Sequence, residues 1–425
     1  MRHHSVLGRF LRYVTIDTRA DEASAASPSS PGQRVLLEQL ASELRGLGAR
    51  DVTCDEHGYV MATVPATTTR TGVPAIGFVA HVDTSPEMSG TSVRPIVHRH
   101  YDGGDLVLPD APDAVLRPSD DPALAAQLGH DIVTASGTTL LGADDKAGVA
   151  EIMTAVDYLL AHPEVEHGDV RIAFTPDEEI GRGANHFDVA RFAATCAYTL
   201  DGGSCGELEV ESFSADAVTV TFQGFNTHPG YAKGRMVNAL RMAAAFVESL
   251  PKEGMSPETT DGYDGYLHPY AMDASVDRTS VRVLLRDFRT EQLRVKGALV
   301  ERLAREVVGR FPGGRVEIKV EEQYRNMREV LDGFPTVVEH AAEAIRRAGL
   351  EVRTKPIRGG TDGSRLSFMG LPTPNIFAGE HNIHSRLEWT SVQDMEAAVR
   401  VIAHLCQIWA EEGSSPGSGR GLTPP

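Results

Sequence analysis

The sequence predicts an α/β protein whose main domain is cut in two by a smaller α+β domain. Three observations predict it. Strand and helix patterns alternate from residue 33 to about 205, a block of alternating strands and two helices follows, and strand–helix alternation then resumes. With 425 residues the chain is long enough for two or three domains, and its 41% hydrophobic, 24% charged composition is that of a globular protein with a substantial core.

In chain order, "ASAASPSSPGQ" (24–33) reads as a flexible surface loop. A helix follows with Leu36, Leu40, Leu44 and Leu47 on one stripe, and Gly48 ends it. "PAIGFVAHVD" reads as a strand. The next helix turns Val149, Ile152 or Met153, Val156 and Leu159 or Leu160 inward. "DVRIAFT" and "CAYTL" are further strands, with Val170, Ile172 and Phe174 on one face of the first. This half implies a largely parallel sheet covered by helices. From residue 212, "DAVTVTFQG", a helix at "MVNALRMAAAFVESL", a weak strand around 268–275, "TSVRVLLRDF", a helix at "TEQLRVKGALVERLAREVVGRF" and "GRVEIKVEE" give β-α-β-β-α-β, the ferredoxin-like order. Helix "TVVEHAAEAIRRAG", strand "PTPNIFAG" and helix "SVQDMEAAVRVIAHLCQIWAEE" complete the first domain. The expected division is 1–211 and 326–411 for the main domain, 212–325 for the insert, and 412–425 for a flexible, Pro/Gly-rich tail.

The net charge of −18 argues against a nucleic-acid or anionic-membrane partner. Cys54, Cys196, Cys205 and Cys406 form no CxxC pair, which argues against a thiolate zinc site and a disulfide framework. No signal peptide and no membrane span is evident, so a cytoplasmic location is expected.

Four patches fall where strands end or helices begin, the crevice in which open α/β sheets bind ligands. In "GFVAHVDTSPE", His81 and Asp83 are two apart on a strand and face the same way, so the carboxylate can orient the imidazole. In "TLLGADDKAG", either Asp144 or Asp145 caps the helix and the other is free to serve cations. "TPDEEIGRG" gathers Asp177, Glu178 and Glu179; crowded acids at a strand end imply a positive partner, with Glu179 on a metal and Glu178 on a reacting water. The fourth patch joins Asp201 in "YTLDGGSCG" to His381 and His384 in "GEHNIHSRLEW". None compels a metal alone. Together, oxygen and imidazole donors without thiolates suit two Zn²⁺ ions, with Co²⁺ or Mn²⁺ as alternatives. If His81, Asp144, Glu179, Asp201 and His384 are ligands with Asp144 shared, three carboxylates and a hydroxide balance two divalent cations.

These patches also carry a resemblance. Through "FLRYVTIDT", "AHVDTSPE", "TLLGADDKAGVAEIM", "FTPDEEIGRGA", "YTLDGGSCGELE", "NTHPGYAKGRMVNA", "YRNMRE" and "PIRGGTDGSRLSFMGLPTPNIFAGEHNIHS", nearly the whole chain resembles the dizinc metallopeptidase family that contains carboxypeptidase G and succinyl-diaminopimelate desuccinylase. The resemblance implies a two-domain dizinc exopeptidase: a mixed-sheet α/β/α catalytic domain with an inserted ferredoxin-like α+β lid and dimerisation domain. It implies one ion on His81, Asp144 and Asp201, the other on Asp144, Glu179 and His384, with Asp83 holding His81 and Glu178 as general base. It is also what selects Asp144 over Asp145 and His384 over His381. Aspartate at position 201 goes with the aminopeptidase-like members, so short peptides with a free amino terminus, tripeptides above all, are the implied substrates. Arg286 is the implied anchor for the substrate carboxylate, His228 the implied oxyanion group acting across a homodimer, and Arg358 a further substrate-binding residue. The simpler readings are that Arg286 pairs with Asp287 and that His228 stiffens a turn. The chain departs from the family after "RDF", and at Glu380 and His381, where a less charged stretch is expected. A related amidohydrolase with the same site, and a non-catalytic binding protein, are the rival functions.

Overall fold

A computed structural model describes residues 5–414 of the chain. The chain divides into two compact units. One takes in the chain up to Val210, Val330–Lys355 and the part from Thr361 onward; the other is Glu211–Glu329 with Pro356–Gly360. Most of the expected tail lies outside the described residues.

The first unit is built on an eight-stranded mixed sheet. Its strands run in the order Arg50–Cys54, Val60–Val64, Val170–Thr175, Ile76–His81, Cys196–Gly202, Asn375–Phe377, Glu207–Glu209, Arg353–Thr354. The four strands from Val170–Thr175 to Asn375–Phe377 are mutually parallel, and antiparallel neighbours flank them.

Side-chain alternation divides the core between two faces. Phe78, Ala80, Ile172 and Phe174 join the large cluster formed with the long helices, and Val79 and Ala173 join a smaller one with Phe192, Leu366 and Leu371. The helix Ala143–Ala161 is buried nearly all round, with Val149, Ile152 and Met153 wholly inaccessible. Gly148 lets it approach the sheet, since a Cβ there would lie 2.0 Å from the Leu200 carbonyl oxygen. This close contact sets the helix start beside Asp201. The Pro31–Leu47 helix buries Leu36, Leu40 and Leu44, and ends at Gly48 with φ 101°.

The loop expected at 24–33 is not wholly a flexible surface segment. Pro31 opens the helix, and Pro28 and Ser29 are buried. The reason lies far away in sequence: the Asp177 carboxylate accepts hydrogen bonds from the Ser29 backbone N–H at 2.8 Å, from the Ser29 hydroxyl, and from Gln33 Nε2 at 2.8 Å.

The second unit has strands Ser214–Gln223, Tyr266–Ala274, Arg278–Asp287 and Arg315–Tyr324 with helices Ala239–Ser249 and Thr290–Val308. The chain order is β-α-β-β-α-β, and the sheet is antiparallel throughout with the 278–287 and 214–223 strands central. Val218, Val220, Val281 and Val283 point to the helices, where Met242, Phe246, Val300 and Ala304 meet them.

Candidate metal centre

Five segments of the first unit bring acids and imidazoles together at the carboxyl edge of its sheet. His81 is the last residue of Ile76–His81, Glu178 and Glu179 form a 3₁₀ turn just beyond Val170–Thr175, Asp201 lies in Cys196–Gly202, and Asp144 opens the central helix. His384 sits in the loop between Glu380–His381 and Trp389–Ser391, which pair as a hairpin.

These side chains converge in two groups that share one carboxylate. His81 Nε2 lies 3.0 Å from Asp144 Oδ1 and 3.5 Å from Asp201 Oδ1. His384 Nε2 lies 3.2 Å from Asp144 Oδ2 and 3.0 Å from Glu179 Oε2. His81, Asp144 and Asp201 thus form one set of close-set donor atoms, and Asp144, Glu179 and His384 another. Asp144 presents one oxygen to each set, the geometry a bridging carboxylate needs.

The two aspartates that spacing left open have different tasks. Asp145 Oδ1 accepts the Gly148 N–H at 3.1 Å, which caps the helix, and its Oδ2 accepts the His81 backbone N–H at 3.0 Å. The peptide joining it to Asp144 is cis. His381 likewise separates from His384. Its ring stacks on Trp389 with centroids 4.0 Å apart, and burial pushes its pKa down to about 4.

Asp83 connects the groups. Its Oδ1 lies 3.3 Å from His81 Nδ1 and accepts the Glu178 N–H at 3.0 Å, and its Oδ2 accepts the Glu179 N–H at 3.1 Å. One buried carboxylate therefore orients the His81 imidazole and both acids of the turn. The three acids in "PDEE" consequently do three things: Asp177 holds the Ser29 loop, Glu178 is a buried carboxyl that feels His81 and Asp201, and Glu179 faces His384.

Protonation shows how strongly the cluster asks for positive charge. Burial alone would lower His81, yet hydrogen bonds to Asp144, Asp201 and Asp83 hold it well above the usual imidazole range. Burial is likewise outweighed at His384, which Asp144 and Glu179 raise to about 11. Burial raises Glu179 to about 8, with Asp144 adding to it, and raises Glu178 well above an ordinary carboxyl, with Asp201, Asp362 and Glu179 adding to it. At Asp144 burial acts upward too, but the two imidazoles leave it below the usual carboxylate range. One Glu179 oxygen, Oε1, is buried with no hydrogen-bond partner among the described residues. An oxygen–imidazole donor set, an orphaned carboxylate oxygen and acids this closely packed all fit divalent cations.

Sequence reasoning missed two further buried acids here. Glu380, Asp145 and Asp201 form a third close set, with Glu380 Oε2 unpartnered among the described residues. Asp362 accepts the Thr175 hydroxyl at 2.7 Å and is pushed up to about 6 by burial. The unexpected charge at 380 was the one visible signal; nothing near Asp362 in sequence marks it.

The expected substrate residues lie in the second unit. The Arg286 guanidinium is packed over the Tyr324 ring at 4.9 Å, and its Nε and Nη1 are buried without a hydrogen-bond partner among the described residues. It does not pair with Asp287. Alternation along the strand turns Asp287 the other way, onto Lys296 Nζ at 2.5 Å. His228 is exposed, and its Nδ1 accepts the Gly230 N–H at 3.1 Å within its own turn. Arg358 donates to the carbonyls of Gly262 and Asp264 at 2.8 and 2.9 Å and to Thr260 Oγ1 at 3.1 Å, over the rings of Phe213 and Tyr266.

Fold and donor set together define a class: an α/β metallohydrolase interrupted by a ferredoxin-like unit. The model of peptidase family M20/M25/M40 matches residues 140–408. The chain is 49% identical to "Peptidase T" of Geobacillus thermodenitrificans over 409 residues, covering 96% of this chain and 99% of that one. It is 49% identical to "Peptidase T" of Vibrio cholerae over 403 residues, covering 95% and 98%. Among solved structures it is similar to aminopeptidase PepT of Bacillus cereus, with TM-score 0.72, 22% identity and coverage of 96% and 99%. A tripeptidase from Staphylococcus aureus gives TM-score 0.74, 21% identity and coverage of 97% and 100%. The chain belongs to the peptidase family M20/M25/M40.

Proposed function

We propose that this protein is a metal-dependent aminopeptidase that releases the amino-terminal residue of short peptides, tripeptides above all. Family membership and near-full-length likeness to enzymes called peptidase T support the reaction class. The observation that carries the site is Asp144, whose two oxygens face the imidazoles of two separate donor groups.

His81, Asp144 and Asp201 would hold one divalent ion, and Asp144, Glu179 and His384 the other; zinc is the proposed metal, cobalt or manganese its alternatives. Bound ions supply Lewis acidity and make water acidic enough to attack at neutral pH. Glu178 accepts the proton of that water as its oxygen adds to the first peptide carbonyl carbon. Glu178 then delivers the proton to the departing amine as the C–N bond breaks. Its raised pKa suits both halves of this transfer. Asp83 keeps Glu178 and Glu179 in place through their backbone N–H groups and keeps the His81 ring turned toward Asp144 and Asp201.

Arg286 is the proposed partner of the substrate carboxylate, supported by its Nε and Nη1, which are buried without a hydrogen-bond partner among the described residues, and by the bidentate fit of that fork to a carboxylate. His228 is proposed to donate to the carbonyl oxygen from the second copy of a homodimer. Its free ring nitrogen and its exposure are compatible with that role. Arg358 is proposed to act on substrate through the Thr260–Asp264 loop it braces. No helix among the described residues is long and apolar enough to cross a membrane.

Hydrolysis of a free tripeptide and of its N-acetylated form, with and without a chelator and read by mass spectrometry, tests the proposal. Chelator-sensitive release of the first residue from the free peptide alone is the expected result. Preference for the blocked peptide would move the function to a related amidohydrolase. No turnover by protein that holds both ions would replace catalysis with binding.

A further inference from the structure

One buried carboxylate near the metal groups belongs to neither of them. Glu388 is 1% exposed and stands at the base of the hairpin loop that carries His384. Its Oε2 accepts the N–H groups of Leu141 and Gly142 at 2.7 and 2.8 Å, and its Oε1 accepts the N–H of Asp144 at 3.0 Å. These donors line the turn that leads into the Ala143–Ala161 helix. The backbone at Asp144 and Asp145 is non-helical, so these N–H groups belong to the turn ahead of the regular helix, and Gly142, with φ 81°, has no side chain to offer them. A carboxylate from another segment meets all three of these buried N–H groups.

The consequence reaches beyond the helix. Glu388 lies four residues after His384 in a loop braced by its own hydrogen bonds: Ser385 Oγ donates to the Asn382 carbonyl at 2.6 Å and accepts the Leu387 N–H at 3.1 Å. His384 and Asp144 meet through their side chains at 3.2 Å. Glu388 joins the same loop to the backbone of the same aspartate. Two ligands from chain segments about 240 residues apart are thereby tied twice, once at the donor atoms and once at the backbone behind them.

We propose that Glu388 is a positioning residue that sets the spacing of Asp144 and His384 and so tunes how tightly the metal group containing both is held. The proposal rests on the reading of Asp144, Glu179 and His384 as metal ligands. A carboxylate with three N–H donors has no isosteric substitute, because glutamine would turn an amide N–H₂ toward one set of backbone N–H groups. Outer contacts of this kind affect metal affinity by roughly 10- to 100-fold.

The test is a titration of the apo full-length chain with Co²⁺, followed by visible absorption and by competition with a chelator, for the wild type and Glu388→Gln. Wild type should bind two ions. In Glu388→Gln one of the two ions should lose at least tenfold in affinity, with an altered cobalt spectrum. With metal restored to saturation, kcat on a tripeptide should fall while KM stays within twofold. A folded Glu388→Gln that binds both ions with wild-type constants and spectrum overturns the proposal and leaves the metal reading intact. Wild-type protein that binds fewer than two ions overturns the metal reading, and the proposal with it. If circular dichroism shows Glu388→Gln unfolded, Glu388→Asp, which keeps the charge but falls short of all three donors, is read by the same criteria. Failure of both variants to fold assigns Glu388 to folding alone and overturns the positioning role.

Discussion

The carboxyl edge of the first unit and the Arg286 neighbourhood of the second pose opposite electrostatic problems. At the first, Asp83, Asp144, Glu178, Glu179 and Asp201 crowd around two imidazoles, and hydrogen bonds to these carboxylates drive the imidazoles toward their charged forms. At the second, a guanidinium packs on an aromatic ring with its Nε and Nη1 buried and without a hydrogen-bond partner among the described residues, and burial lowers its pKa. A buried charge without a partner costs free energy in either sign. Neither arrangement is explained by stability. The proposed function supplies each with the charge it lacks: cations at the first, a substrate carboxylate at the second.

The sharpest way to break this comparison is to remove its most connected acid. Asp144→Ala should lose more than about 100-fold in metal affinity, since outer contacts alone affect affinity by 10- to 100-fold. Equilibrium dialysis with elemental analysis measures it, and retention of two tightly held ions would exclude a bridging role. Glu178→Gln separates acid that binds metal from acid that moves a proton. Both ions should remain, and kcat should fall by about 10²- to 10⁴-fold, the usual range for a general base. Wild-type turnover would remove Glu178 from the mechanism.

Arg286→Leu addresses the second region. Loss of a charged hydrogen bond of about 1.5–3 kcal/mol should lower kcat/KM for a free tripeptide by roughly 10- to 100-fold. The corresponding tripeptide amide should be cleaved equally by both proteins. Equal losses on acid and amide would show that Arg286 serves the fold instead. The smallest effect is expected at Arg358, whose donors are taken by the Thr260–Asp264 loop. Arg358→Ala should destabilise the second unit by about 1 kcal/mol in urea unfolding, as loss of a partly exposed hydrogen-bonded group does. A loss in catalysis without one in stability would favour its proposed substrate role.

Much of this protein follows from local sequence. Period-two alternation in "DAVTVTFQG" and "TSVRVLLRDF", helical stripes between them, and the strand–helix alternation on either side determine two kinds of unit in one chain, because burial of one face dictates side-chain period. His81 and Asp83 share a face for the same reason, and the absence of paired cysteines directs the donor chemistry to oxygen and nitrogen. Only tertiary structure decided the rest. Spacing cannot tell Asp144 from Asp145: the first turns to the imidazoles and the second to the Gly148 N–H, a choice made where helix and sheet meet. Nor can it tell Asp177 from Glu178, since the partners of Asp177, Ser29 and Gln33, stand more than 140 residues away. Glu388 looks in sequence like a surface acid, yet it closes the turn ahead of Asp144. A residue's type and period are set by its near neighbours, but the partner of a buried charge is set by which distant segments the fold brings within hydrogen-bond reach.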